Sequence, residues 1–263
     1  WPAAFFMFLP FGAIAFVGMY VFLSDKGRQA GVTLDWTGFL TLSVAVIGLQ
    51  LLLSRGQRHD WFESPEIIIE AVLALIALHL FVVHSLTARQ PFLNPRLLLD
   101  RNFVIGLIIV TIYGMLNFTP MVLLPPMLQG LLGYPDSIIG LLLGLRGGGA
   151  IAGFFVAMFV SRLDPRIGMT MGFLMQVASG LHMSSFDINT TIMDVGLNST
   201  LQGLAIGIIW VPLTVAAFAT LDNRHLAEAS AVYHLLRNLG SAIFISLSVT
   251  VVIISTASNY AGM

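Results

Sequence analysis

The stretch SIIGLLLGLRGGGAIAGFFVAMFV, residues 137–160, holds a single charged residue, Arg146, with three glycines directly behind it. At 1.5 Å of rise per residue such a run is long enough, as a helix, to cross the hydrocarbon core of a bilayer, which takes about 20 apolar residues. A nucleotide loop is the competing reading, because Gly147, Gly149 and Ala152 satisfy the G-x-G-x-x-G/A spacing. That motif needs a preceding strand and a following amphipathic helix in a βαβ unit. The apolar flanks on both sides argue against it. The sequence has no G-x-x-x-x-G-K-[ST] and no H-E-x-x-H, so neither ATP use nor zinc hydrolysis has a basis in it.

Composition extends this reading to the whole chain. The 263 residues are 57% hydrophobic and 10% charged, with a mean hydropathy of +0.91, whereas soluble domains are about a quarter charged. This predicts an all-α, polytopic membrane helical bundle. The absence of cysteine excludes disulfides and thiolate metal sites. No cofactor, no metal and no nucleic-acid partner is expected, whereas contact with the lipid bilayer is. The chain opens at Trp1 without a basic, cleavable leader, which reads as a piece of a longer protein.

Eight apolar runs long enough to span fall near 8–24, 37–54, 66–86, 103–124, 137–161, 167–185, 194–220 and 230–254. The breaks between them are short and polar, so successive helices must alternate in direction, because irregular backbone cannot face lipid. Lysine and arginine in alternating loops set the orientation. One set of loops carries Lys26, Arg28, Arg89, Arg96, Arg101, Arg162, Arg166 and Arg224, the other only Arg55 and Arg58. The richer side is expected to be cytoplasmic.

The two remaining basic residues, Arg146 and Arg237, lie inside spans, where an arginine costs about 2.5–3.5 kcal/mol on insertion scales. Arg146 falls roughly 14 Å from the outer end of its span and Arg237 roughly 10 Å from the inner end of its own. On the last span Ser230, His234, Arg237, Asn238 and Ser241 form one polar stripe at helical spacing. The span before it carries Asn198, Gln202, Trp210 and Thr214, and the span at 103–124 carries Thr111, Gly114 and Asn117. Three polar faces should therefore look at each other or at water. Two readings stay open, helix-to-helix glue and a substrate pathway. Gly140, Gly144 and Gly148 are spaced by four, as are Gly149 with Gly153 and Gly203 with Gly207. Such small-residue ridges are expected to pack helices closely. Met115, Met121 and Met127 near Phe118 offer an adaptable apolar surface or ordinary lipid-facing packing.

At these residues the chain also resembles a known family. PPMLQGLLGYPDSIIGLLLGLRGGG (125–149), FVSRLDPRIGMTMGF (159–173), IIWVPLTVAAFATL (208–221) and EASAVYHLLRNLGSAI (228–243) resemble the second half of major facilitator superfamily exporters, of the fourteen-helix drug:proton antiporter branch. FFMFLPFG (5–12) resembles the start of that branch's sixth helix and LDWTGFL (34–40) the start of its seventh. The resemblance implies residues 1–30 as the last helix of an N-terminal six-helix bundle and 31–101 as two linking helices. It implies 102–263 as five of the six helices of a C-terminal bundle.

The implied function is proton-driven export of amphipathic or cationic compounds from the cytoplasm through a bacterial inner membrane. No enzymatic activity is implied, and the proton gradient is the energy source. Substrate and protons are the expected partners, with a periplasmic adaptor and an outer-membrane channel as further ones. The implied substrate pathway or seam holds Arg146, Arg237, His234, Asn238, Asn117, Gln202, Trp210 and Met121, with Arg146 a cation at the seam between halves. Arg162, Asp164 and Arg166 fall where the branch carries a degenerate copy of its cytoplasmic gate motif. Export of one specific metabolite or siderophore, and a non-transporting receptor or scaffold, are the other functions weighed.

Overall fold

The structure is a computed structural model that describes residues 6, 8–22, 35–59, 61–160 and 164–261. Contacts divide the chain into two units, Trp1–Leu34 and Asp35–Met263. In the first, α1 (Phe8–Phe22) has no buried residue among those described. The second holds α2 (Trp36–Arg55), α3 (Pro65–Thr87), α4 (Arg101–Leu132), α5 (Asp136–Val160), α6 (Pro165–Ser184), α7 (Ile192–Phe218) and α8 (Leu226–Ala261). The described residues contain no strand, so the all-α expectation holds.

Six of these helices are long and apolar enough to cross a membrane. The helix α6, one of the eight expected spans, reaches the length but is not among the six, because Gln176, His182 and its small residues dilute its apolar character. Among the described residues α1 has 15 and falls short of a span. The expected span at 103–124 runs on to Leu132, through Pro125 and Pro126. It stops at Gly133, whose φ of 65° is left-handed and whose N–H bonds the Leu128 carbonyl.

Short polar residues start the helices. Asp35, Asp100 and Asp164 each cap a helix by accepting a backbone N–H, and Thr191 with Asp194 forms a reciprocal capping box on α7. Asp35 does more. Its carboxylate also accepts the Phe92 N–H at 2.9 Å and lies 2.9 Å from His84 Nε2, clasping the start of α2 to the end of α3. Partial burial pulls the Asp35 carboxyl pKa up, but the Gly38 and Phe92 N–H groups and His84 outweigh it and hold it below the ordinary value. At the other end of the hairpin Arg55 bridges Glu66 at 2.6 Å and Glu70 at 3.2 Å.

In the bundle α7 is the most buried helix, flanked by α5, α6 and α4, while α4 packs along α8. The α5–α7 approach rests on glycine. A Cβ on Gly149 or Gly153 would fall on α7 backbone, and one on Gly203 or Gly207 on α5 backbone. The expected ridge of Gly140, Gly144 and Gly148 does not pack in this way. A Cβ at each would meet nothing within 4 Å, because the face of α5 turned to α7 is the one that carries Gly149 and Gly153.

Two apolar clusters fill the bundle. One holds Phe103, Val110, Tyr113, Ile209, Leu213 and Tyr233, the other Leu124, Leu128, Ile139, Leu142 and Val195. The loops that alternation puts together do meet: Thr220 donates to Asp100 at one end of the bundle, and Tyr134 donates to the Thr190 carbonyl at the other. The arginine count therefore makes a definite prediction. In this thiol-free chain, cysteines placed singly at the exposed Arg58 and Asn223 will label from opposite faces of the membrane, with Asn223 reached from the cytoplasm. Labelling of both from one face would overturn the orientation.

Candidate functional site

Between the two apolar clusters lies a polar layer built by four helices. A Cβ on Gly203 would fall on the Arg146 carbonyl, so the α5 backbone sits against α7 at this level. The Arg146 side chain is thereby delivered to Gln202, the residue next to that glycine. Arg146 Nε donates to Gln202 Oε1 at 2.9 Å, and Nη2 donates to Asn117 Oδ1 at 2.7 Å and to the Asn117 carbonyl. Gln202 is only 4% exposed. One guanidinium thus ties α5 to α4 and α7, using its planar fork in a way an ammonium could not reproduce. The sequence reading looks for a partner across a seam; these three bonds are all made inside this chain.

Arg237 is held differently. Its Cζ lies 5.2 Å from the centroid of Trp210 and 5.9 Å from that of Phe118, a cation–π pair of contacts from α7 and α4. Its only hydrogen bonds among the described residues are long ones, 3.3 and 3.4 Å, to the neighbouring Asn238. These ring contacts favour the charge without accepting a hydrogen bond in the ring plane, and leave its N–H groups for another acceptor. Close approach positions it, because a Cβ on Gly114 of α4 would collide with the Arg237 carbonyl.

The aromatic group around Trp210 extends this layer. Tyr113 is 5.4 Å, Tyr233 6.0 Å and His234 6.0 Å from it, centroid to centroid. His234 and Asn238 are exposed on α8. Among the described residues neither Arg146 nor Arg237 has a carboxylate partner.

Of the expected pathway residues, Arg146, Asn117 and Gln202 are brought into one network, and Arg237, Trp210, His234 and Asn238 into an adjoining one. Met121 is not brought in. It is 49% exposed on α4, four residues from Asn117 on the same helix but outside both networks. Sequence reading passes over Tyr113 and Tyr233, which are buried at 4% and 0% exposure and form the wall behind Trp210. The available signal is position: Tyr113 precedes Asn117 by one helical turn, and Tyr233 adjoins His234.

At the end of the bundle near Asp100, a cavity of about 520 Å³ is lined by Asn102, Gly106, Asp164, Arg166 and Met169, with Leu213 and Ala217 of α7. Asp164 is exposed here and accepts the Arg166 N–H at 2.8 Å, the geometry of a helix cap. Among the described residues it forms no ion pair with the Arg166 guanidinium. The third expected gate residue, Arg162, lies outside the described residues.

Residues 1–245 match the family model of the Major Facilitator Superfamily. The chain belongs to the major facilitator superfamily. Among curated proteins it is similar to the multidrug export protein EmrB of Escherichia coli K12, 30% identical over 255 residues, covering 95% of this chain and 49% of that protein. It is 29% identical over 251 residues to the EmrB of Haemophilus influenzae, covering 94% and 49%. It is 28% identical over 252 residues to the fatty acid resistance protein FarB of Neisseria gonorrhoeae, again covering 94% and 49%. The chain spans about half the length of the curated relatives it matches. As a member of this superfamily it is a multi-pass membrane protein, and its polar layer lies near mid-span, where transporters of the helical type place substrate and coupling sites.

Proposed function

We propose that this chain forms the C-terminal part of a secondary exporter that moves amphipathic or cationic compounds out of a bacterial cytoplasm across the inner membrane in exchange for protons. The observation that carries the reading is Arg237, in cation–π contact with Trp210 and Phe118 and with its N–H groups lacking a strong acceptor. A charged group kept at that depth and left only partly satisfied is the mark of a pathway residue rather than of packing. Trp210 and Phe118 are only partly buried, and apolar ring surface beside a cation suits several amphipathic substrates better than one.

The similarity to two multidrug export proteins supports the same reading. The site's described residues offer no carboxylate, so a proton-coupling acid, and a counter-charge for any cationic substrate, must come from outside them. From the resemblance alone we add a periplasmic adaptor and an outer-membrane channel as partners.

Cells that produce the whole transporter will tolerate several chemically unrelated amphipathic toxins at about four- to tenfold higher dose than cells without it. Arg237→Met will abolish that gain for all of them, since it removes charge and donors while keeping apolar length. Protection against a single compound would favour a dedicated metabolite exporter, and protection against none would favour a receptor.

A further inference from the structure

We propose that the cleft between the α2–α3 hairpin and α8 is a binding site for an anionic phospholipid, with its head group at the 88–100 loop and one acyl chain laid along α8. Three adjoining apolar crevices of about 360, 310 and 430 Å³ all include Leu42 of α2 and Leu235 of α8. Together they run from Pro95 and Leu97, beside the loop, past Leu235 to Leu239 and Phe62 near the far end of the hairpin. A long, narrow, apolar track parallel to a spanning helix has the shape of a hydrocarbon chain.

The loop end of the track is different in kind. Ser85 lines it and is 94% buried, its relative exposure being 6%, yet its hydroxyl has no hydrogen-bond partner among the described residues. Asn94 lines the same crevice. A buried hydroxyl without a partner, in a wall that is otherwise hydrocarbon, calls for an acceptor, and an ester carbonyl entering the crevice would supply one where the wall gives way to admit it.

Charge and exposure indicate what lies beyond. Arg89 and Arg96 are exposed in the 88–100 loop, Arg96 between Pro95 and Leu97, which line this crevice, and neither makes an ion pair among the described residues. The nearby acids bond elsewhere, Asp35 to His84 and the Gly38 and Phe92 N–H groups and Asp100 to the Phe103 N–H and Thr220, so neither pairs directly with these arginines. Leu98 and Leu99, in the short 3-10 helix Pro95–Leu99, are 58% and 83% exposed. Exposed leucines flanked by arginine belong at a membrane interface rather than in open water. Free cations at the interface beside an apolar track match a negatively charged head group and its tail.

The test is native mass spectrometry of the whole, detergent-purified transporter titrated with phosphatidylglycerol or with phosphatidylcholine of identical chains. One arginine near an anionic surface contributes about a fivefold preference, so two predict up to about thirtyfold tighter retention of phosphatidylglycerol. Arg89→Gln with Arg96→Gln will bring the two lipids within about twofold of each other, without lowering the melting temperature of lipid-free protein. Ser85→Phe, which fills the inner end of the track, will weaken both lipids. Inorganic phosphate at a large excess will leave bound phosphatidylglycerol in place. Equal retention of the two lipids by the parent protein, undiminished preference in the double arginine variant, or displacement by phosphate would overturn the proposal. None of these readouts depends on transport, so the lipid site stands or falls separately from the exporter reading.

Discussion

Arg146→Met will lose about 2–4 kcal/mol of stability in detergent, seen as a lower melting temperature, with export lost in parallel. The cause is the set of acceptors it leaves behind. Gln202 Oε1, Asn117 Oδ1 and the Asn117 carbonyl all lose their donor, and a buried acceptor without a partner costs about 1–3 kcal/mol. Arg146→Lys will fall between, because one ammonium cannot serve α4 and α7 together in the fork geometry. A double-mutant cycle with Gln202→Leu will return a coupling of about 1–3 kcal/mol, since removing both partners together leaves less unsatisfied than removing one. If Arg146 serves instead a carboxylate outside this chain, the methionine variant will keep its melting temperature. Its efflux will then shift to higher pH, because an acid stripped of its cation has a raised pKa.

Gly203→Val will have the largest effect of the glycine substitutions, preventing the bundle from assembling or costing about 3 kcal/mol or more. Backbone stands where its Cβ would go, namely the Arg146 carbonyl and the Ala150 nitrogen, and backbone cannot rotate away as a side chain can. The helices α5 and α7 would have to separate, and with them the Arg146 to Gln202 bond. Gly180→Ala on α6 is the control. A Cβ there meets nothing within 4 Å, so the change should be neutral or stabilise by up to about 1 kcal/mol through helix propensity. Heat stability of the two variants by fluorescence size-exclusion checks the contrast, and comparable survival of both would contradict the close-packed seam between α5 and α7.

The helices were legible because a bilayer demands long apolar runs, and each run from α2 to α8 ends within a few residues of its helix except where local chemistry intervened. The sequence reading ended the fourth span at 124, before Pro125 and Pro126. The helix continues through both prolines despite the backbone bonds their missing N–H groups forfeit, and Gly133 supplies the left-handed stop. Polar residue types at helical spacing pointed to residues that the structure joins, since Arg146, Asn117 and Gln202 could not sit in hydrocarbon alone.

What the spacing could not give is which side of a helix meets which neighbour. Gly140, Gly144 and Gly148 share the four-residue rhythm of Gly149 and Gly153 but not their contacts, and rotation of α5 about its axis is a tertiary property. Tyr113 and Tyr233 were passed over for a related reason. An aromatic residue in an apolar span looks like any other core residue until its ring is found 5–6 Å from Trp210. The Asp35 clasp was hidden by distance along the chain, joining residues 49 and 57 positions apart.

Exchange of a compound for protons through the layer that holds Arg237 is open to direct measurement. Purified whole transporter in proteoliposomes, loaded with a pH-sensitive dye and given a fluorescent amphipathic substrate, measures both movements at once. Imposing a pH gradient should drive substrate accumulation on the acidic side, addition of substrate should release protons from that side, and an ionophore that collapses the gradient should stop both. Arg237→Met should reduce both fluxes together. Substrate movement that ignores the pH gradient, or a methionine variant that exchanges at the parental rate, would contradict it.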